Sequence, residues 1–167
     1  MGPVIRGATT ADAGAIGALH VRAWRRGYAD IVDAQILDEM EPEGRAARWA
    51  TILAAQDSKT LVAEVAGALC GFASVGTSRE EHAPAGEGEL CALYVDPAAQ
   101  GAGVGTALLA AAEQALRDRG DTSAVLRVFT ENGLARRFYA RHGWTWVPGS
   151  ELPHSWGVSV VLYRRAL

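Results

Sequence analysis

The sequence predicts an α/β fold in which a mixed sheet carries helices on its faces. Three observations lead there. Runs rich in β-branched and apolar residues alternate with stretches of helical periodicity in the order β-α-α-α-β-β-β-α-β-α-β-β, the pattern of a layered α/β architecture. A glycine-rich turn at residues 100–106 separates a strand-like apolar run from an Ala/Leu-rich helical stretch. The 167 residues, 49% hydrophobic and 21% charged, suffice for one globular domain spanning 1–167 and are too few for two ordinary ones.

The elements follow in order. Val4 to Ala8 alternates weakly and reads as a first strand. Thr9, Thr10 and Asp12 supply N-cap chemistry for a helix whose apolar face is Ile16, Leu19, His20, Ala23 and Trp24, and Gly27 suits its end. Helical stretches run from about Asp33 to Met40 and from about Pro42 to Gln56, with Pro42 in a first turn. Thr60 to Val65 and Leu69 to Ser74 flank Gly67 as a hairpin, with Glu64 and Ser74 at exposed or functional positions. Arg79 to Gly88 is polar, holds Pro84 and Gly86, and reads as a loop.

Glu89 to Val95 is the next strand, and Asp96-Pro97 ends it. Strict alternation places Glu89, Cys91 and Leu93 on one face and Leu90, Ala92 and Tyr94 on the other. The helix after the glycine turn buries Val104, Leu108, Leu109, Ala112 and Leu116. Ala124 to Phe129 is a strand and Glu131 to His142 a short helix stopped by Gly143. Trp144 to Val147 and Val158 to Tyr163 finish the sheet, joined by a loop with Pro148, Gly149 and Pro153.

The turn Gln100-Gly101-Ala102-Gly103-Val104-Gly105-Thr106 is an anion site by elementary physics. The first amides of a helix lack intrahelical partners, and the aligned peptide dipoles place about half a positive charge there. Glycines at alternate positions keep side chains away from those amides. Two known phosphate motifs do not fit. The dinucleotide fingerprint needs Gly or Ala at its sixth position, where this chain has Thr106 or Leu108, and a Walker A loop needs a Gly-Lys-Ser/Thr that is absent.

What fits is Q/R-x-x-G-x-G/A, with Gln100, Gly103 and Gly105, and a second block, Asn132-Gly133-Leu134-Ala135-Arg136-Arg137-Phe138-Tyr139-Ala140-Arg141-His142-Gly143-Trp144. In this order they resemble the acetyl-CoA loop and the N-x-x-A-x-x-F-Y-x-x-x-G-F element of the GNAT superfamily of N-acetyltransferases, with Trp144 where Phe is commoner. The resemblance runs along nearly the whole chain and implies the GNAT fold, a mixed and mostly antiparallel sheet with helices on both faces. It implies transfer of acetyl from the cosubstrate acetyl-CoA to a primary amine of a small molecule or peptide, by direct attack in a ternary complex. The alternative is an acyl-CoA-binding sensor without turnover.

The resemblance also assigns roles. The strand before the glycine loop should bulge and splay, so that amides of Leu93, Tyr94 and Val95 face the thioester and the pantetheine arm. Gln100, Gly101, Ala102, Gly103, Val104, Gly105 and Thr106 would hold the pyrophosphate. Asn132, Ala135 and Phe138 would border the pantetheine, and Asn132 equally suits a helix N-cap. Tyr139 occupies the place of the general acid, protonated at neutral pH because an unperturbed phenol has a pKa of about 10. Glu89 is the general-base candidate, acting directly or through water.

Trp24, Tyr28, Asp30 and Trp156 are candidate walls of the acceptor site, since aromatic surfaces suit a cation or an apolar group. Acidic residues at Asp30, Asp33, Asp38, Glu39, Glu41, Glu43, Glu80, Glu81 and Glu87 read as solvated acidic faces or as an acidic mouth that would favour cationic amines.

Other classes are disfavoured. A net charge of -3 argues against nucleic acid, and no apolar run approaches the ~20 residues that cross a bilayer. Cys70 and Cys91 read as small buried thiols, and no Cys/His spacing predicts a metal. A cysteine-based ping-pong route through Cys91 lacks a spaced histidine. The N-terminus shows no secretory signal, so a cytoplasmic location is expected, and association into a homodimer is left open.

Overall fold

The computed structural model describes residues 1–167. The chain opens with β1 (Val4–Gly7), a single 3-10 turn at Thr10–Asp12, and α1 (Ala13–Gly27). Thr9 and Asp12 form a reciprocal cap, with the Asp12 carboxylate accepting the Thr9 amide at 2.7 Å. Arg6 clamps this corner to the sheet by pairing with Asp12 at 2.8 Å and with Glu64 at 2.5 Å. That guanidinium holds the Asp12 carboxyl at about 2. Glu64 is thereby a structural ion-pair partner.

Two helices follow, α2 (Ala34–Asp38), capped by the Asp33 side chain, and α3 (Pro42–Ala55), which starts on Pro42. A Cβ added to Gly17 would lie 2.5 Å from the Ala46 nitrogen, so the close crossing of α1 and α3 depends on that glycine. Between them lies His20, whose Nδ1 accepts the Trp49 indole N–H at 3.0 Å while its Nε2 is buried without a partner.

Burial, and then the charges of Arg45 and Arg48, push His20 down to about 3. The unfolded chain therefore binds a proton near pH 6.5 that the folded chain refuses until about pH 3. Stability is fully present above pH 6.5 and declines through this window as pH falls. Linkage gives a loss of about 2 kcal/mol at pH 5 from this one residue. Urea titrations of wild type and His20→Gln between pH 5 and 7.5 check it: the mutant should show the shallower dependence.

The sheet begins with β2 (Lys59–Val65) and β3 (Ala68–Thr77), joined through Ala66 (φ 51°) and Gly67 (φ 78°), a two-residue turn with positive φ at both positions. β3 runs three residues past the predicted end at Ser74. Ser74 is not exposed: it is buried, and its hydroxyl meets that of Thr60 at 3.1 Å across the hairpin. β4 (Glu87–Val95) also starts earlier than expected, because Glu87 is buried against Arg164 at 2.6 Å.

The β3–β4 register breaks the predicted alternation. Leu90 pairs with Val75 and Ala92 with Ser74, leaving Cys91 as an extra residue, a β-bulge. One inserted residue exchanges the faces beyond it. Glu89, Ala92 and Tyr94 therefore lie opposite Gly76, Ser74 and Phe72 on one face, and Leu90, Leu93 and Val95 opposite Val75, Ala73 and Gly71 on the other. Leu93 joins Leu90 rather than Glu89, correcting the sequence expectation. Cys91 is exposed instead of buried, and Cys70 is the buried thiol.

After the glycine loop come α4 (Val104–Asp118), β5 (Ser123–Phe129), α5 (Gly133–Arg141), β6 (Thr145–Trp146), β7 (Leu152–Pro153) and β8 (Ser159–Ala166). The sheet order is β1-β2-β3-β4-β5-β8-β6, with the unforeseen β7 also paired to β8, and only β4–β5 is parallel. Val104, Leu108, Leu109, Ala112 and Leu116 pack on one face; Ile16, Leu19, Trp49 and Phe72 form the core of the other. Helices thus cover both faces. Trp144 earns its place over a phenylalanine through its indole N–H, which donates to the buried Glu113 at 3.0 Å.

Candidate active site

The β4–β5 ladder consists of Glu87 to Leu90 against Ser123 to Leu126 and then stops. β4 continues to Val95 bonded only to β3, while β5 continues to Phe129 bonded to β8. The two central strands therefore splay. The gap is a cavity of about 830 Å³ that passes from the glycine loop on the α4 side to α1 on the other. Leu93, Tyr94 and Val95 form one margin of it and Leu126 to Phe129 the other. From Cys91 onward β4 has an unpaired edge toward the gap, where an extended chain can add as a strand.

At one end lie Gln100, Gly101, Gly103, Val104, Gly105 and Thr106, all on the wall, with Ala102 outside it. Gly101 (φ 83°) and Gly103 (φ 78°) are left-handed, and a Cβ at either would meet nothing within 4 Å of the protein. At Gly101 and Gly103 the loop presents bare backbone to the cavity at the N-terminus of α4. A bulky polyanion fits this cradle. Below it, Phe138 packs at 3.5 Å from where a Gly105 Cβ would stand. His142 joins the Phe138 carbonyl at 2.8 Å and the Thr106 hydroxyl at 3.2 Å, fixing the end of α5 to the start of α4.

Asn132 caps α5: its Oδ1 accepts the Ala135 amide at 3.1 Å. The cap engages only the oxygen, and Asn132 and Ala135 both line the cavity, so the side-chain amide remains for a ligand. Tyr139 lines the gap. It is buried, packed edge-on against Phe138 and Trp144, and its hydroxyl has no hydrogen-bond partner in the protein. Desolvation, then the neighbouring Tyr94, raises its pKa, so the phenol stays a proton-bearing donor.

Glu89 is placed otherwise than expected. It is fully buried and absent from the cavity wall. Arg79 covers it, with the Arg79 amide donating to Oε2 at 2.8 Å and the guanidinium to Oε1 at 2.5 Å. Both oxygens are engaged, and what faces the cavity is Arg79. Glu89, expected on the cleft face as a base acting directly or through water, instead lies off the cavity wall and anchors an arginine. Cys91 does line the cavity, but the packing around its sulfur and then the Glu89 carboxylate push the thiol up to about 11. A thiolate is scarce there at neutral pH.

At the α1 end the walls are aromatic. Trp24 and Tyr28 line the cavity there, with ring centroids 4.8 Å apart. Tyr28 meets Phe129 at 4.8 Å, and Trp156 closes on Trp24 at 5.6 Å from just outside the wall. The Tyr28 and Tyr94 hydroxyls lie 3.4 Å apart, and burial raises both pKa values. Asp30 is exposed and not part of the wall. The wall itself has no Asp or Glu: Glu87 is buried on Arg164, and Glu80 pairs with Arg127 at 2.6 Å. The charged lining residues are Arg79, Arg127 and Arg141, which sequence reasoning missed together with Phe129 and His154. Only the β5 alternation, which sets Arg127 and Phe129 on one face, hints at them.

No helix is long and apolar enough to cross a membrane. Residues 16–144 match the Acetyltransferase (GNAT) family. An uncharacterised N-acetyltransferase of Bacillus subtilis, YuaI, is 31% identical over 133 residues, covering 77% of this chain and 72% of that protein. A mycothiol acetyltransferase of Sanguibacter keddieii is 41% identical over 87 residues, 51% of this chain and 27% of that longer protein. In fold, the chain is similar to the Thermoplasma acidophilum PaiA N-acetyltransferase solved with coenzyme A, with TM-score 0.78 at 19% identity and full coverage of both chains. It is likewise similar to the Brucella melitensis ribosomal-protein-alanine N-acetyltransferase, with TM-score 0.78, 24% identity and coverage of 98% and 99%. Splayed central strands, a glycine loop at a helix start and a match over residues 16–144 agree: the chain belongs to the GNAT family of acetyltransferases and is an acyltransferase.

Proposed function

We propose that the chain transfers the acetyl group of acetyl-CoA to a primary amine of a small molecule or peptide, by direct attack within a ternary complex. The observation that carries this reading is a single cavity between β4 and β5 whose wall holds the glycine loop, an aromatic chamber and Tyr139 together. Acetyl-CoA supplies the activated acyl group as a thioester.

The residues divide the work. Gly101, Gly103 and the first amides of α4 hold the pyrophosphate, and Arg141 adds charge at that end. The Asn132 amide and the open edge of β4 align the pantetheine arm. Of the amides of Leu93, Tyr94 and Val95, those that alternate away from β3 are open toward the gap as donors to a developing oxyanion, held by the ladder and so needing little reorganisation. Tyr139 donates its proton to the sulfur as the carbon–sulfur bond breaks, and regains one from the amine nitrogen through solvent. The excess proton of the acceptor ammonium leaves to water at the mouth. The raised Cys91 pKa supports direct attack over an acetyl-cysteine.

In this account Glu89→Gln loses the ion pair to Arg79 but no proton acceptor. The expected result is a fall in stability of about 1–3 kcal/mol from disrupting a buried charged group's hydrogen bonds, a raised acceptor KM, and an unchanged pH profile of kcat. Kinetics from pH 6 to 9 check it, and a flattened profile would return Glu89 to the role of base. The function itself is tested by thiol release from acetyl-CoA against a panel of amines, amino acids, polyamines, aminoglycosides and peptide N-termini. Absence of amine-dependent release across the panel would contradict it.

A further inference from the structure

We infer that the acceptor is an aromatic α-amino acid, recognised by its carboxylate as well as by its side chain; this rests on the transfer to an amine proposed above. The chamber beyond Tyr139 has two kinds of wall. One is aromatic, from Trp24, Tyr28 and Phe129, with Tyr94 beneath. The other is cationic. Arg79 stands over Glu89, and Arg127 lies two residues before Phe129 on the same face of β5.

Both arginines are held in place rather than used up. Glu89 and Glu80 each bind the Nε and Nη2 side of their guanidinium, leaving both Nη1 groups without a partner in the protein. Neither glutamate reaches the wall, so the charges a ligand meets there are positive. Such pre-oriented guanidinium edges suit a planar carboxylate. The aromatic wall is not a cation cage, because Arg45 already lies over the Trp24 ring, 5.3 Å from its centroid. An ammonium-rich acceptor would find no carboxylate and would be repelled by the arginines. A molecule with an aromatic body, an amine and an adjacent carboxylate satisfies both walls at once.

The test uses L-phenylalanine, phenylalaninamide, phenethylamine, L-alanine and spermidine, each measured two ways: binding to the protein saturated with coenzyme A by calorimetry, and kcat/KM by thiol release. The expected result is that L-phenylalanine exceeds the amide, phenethylamine and L-alanine by at least about 10-fold in both readouts, the scale of a lost charge-assisted contact. Arg127→Gln should bring L-phenylalanine and phenethylamine within a few-fold of each other, whereas Glu80→Gln, which leaves the guanidinium on the wall, should keep the preference. Equal handling of L-phenylalanine and phenethylamine, or preference for spermidine, overturns the inference while leaving acetyl transfer intact. Selective binding of L-phenylalanine without turnover of any amine would overturn its role as acceptor together with the transfer reading, and leave only recognition of the carboxylate.

Discussion

Tyr139→Phe is expected to lower kcat by about 10²-fold or more, with acetyl-CoA affinity and folding stability nearly unchanged. The phenol hydroxyl is buried in the gap and bonded to nothing in the protein, so its removal strands no partner. The ring keeps its contacts with Phe138 and Trp144. What is lost is the phenol on the cavity wall that has no partner within the protein and is therefore free to donate to the departing thiolate. Because its pKa is raised, wild-type Tyr139 remains protonated throughout the neutral range, and the mutant's deficit should be the same at pH 7 and pH 9. Steady-state kinetics with a saturating amine decide the matter: wild-type turnover in the mutant would leave Tyr139 only its packing.

Gly103→Val should weaken acetyl-CoA binding by at least about 10²-fold. Its φ of 78° costs a β-branched residue roughly 1–2 kcal/mol or more, and its Cβ would project into the hollow that the proposal gives to the pyrophosphate. Strain and obstruction are separable. Gly149 has nearly the same conformation, φ 74°, with equal open space around it, but lies outside the cavity. Gly149→Val therefore carries a similar backbone cost without the obstruction. Calorimetry should show lost affinity in the first variant and retained affinity in the second. Equal affinity in both would place the pyrophosphate elsewhere.

What could be read from sequence was what is local. The glycine loop lies within seven consecutive residues, its helix shows a clean apolar stripe, and the α5 block carries Asn132, Phe138 and Tyr139 within one short helix. The caps at Asp33 and Asn132 and the turn at Gly67 are likewise set by neighbours in the chain. The rest depends on pairing between distant strands. The bulge at Cys91 has no signature in β4 itself, yet it decides that Leu93 faces α4 and that Cys91 is exposed. The carboxylates of Glu87, Glu89 and Glu80 looked like solvated or catalytic charges until the fold brought Arg164, Arg79 and Arg127 to them. Ser74 was buried by Thr60 in the same way. The acceptor walls come from α1, β4, β5 and the segment before β8, so no single stretch announces them.

The central claim is that acetyl-CoA lies in the gap between β4 and β5 and adds to the open edge of β4. Amide hydrogen exchange, compared with and without saturating acetyl-CoA, tests this most directly, because protection reports which backbone groups become paired. The account predicts slowed exchange in residues 91–95, 101–106 and 132–135, with β1 and the β2–β3 turn at Gly67 unaffected. Protection that spared residues 91–95 and 101–106, or that appeared instead along β1 or β6, would contradict it.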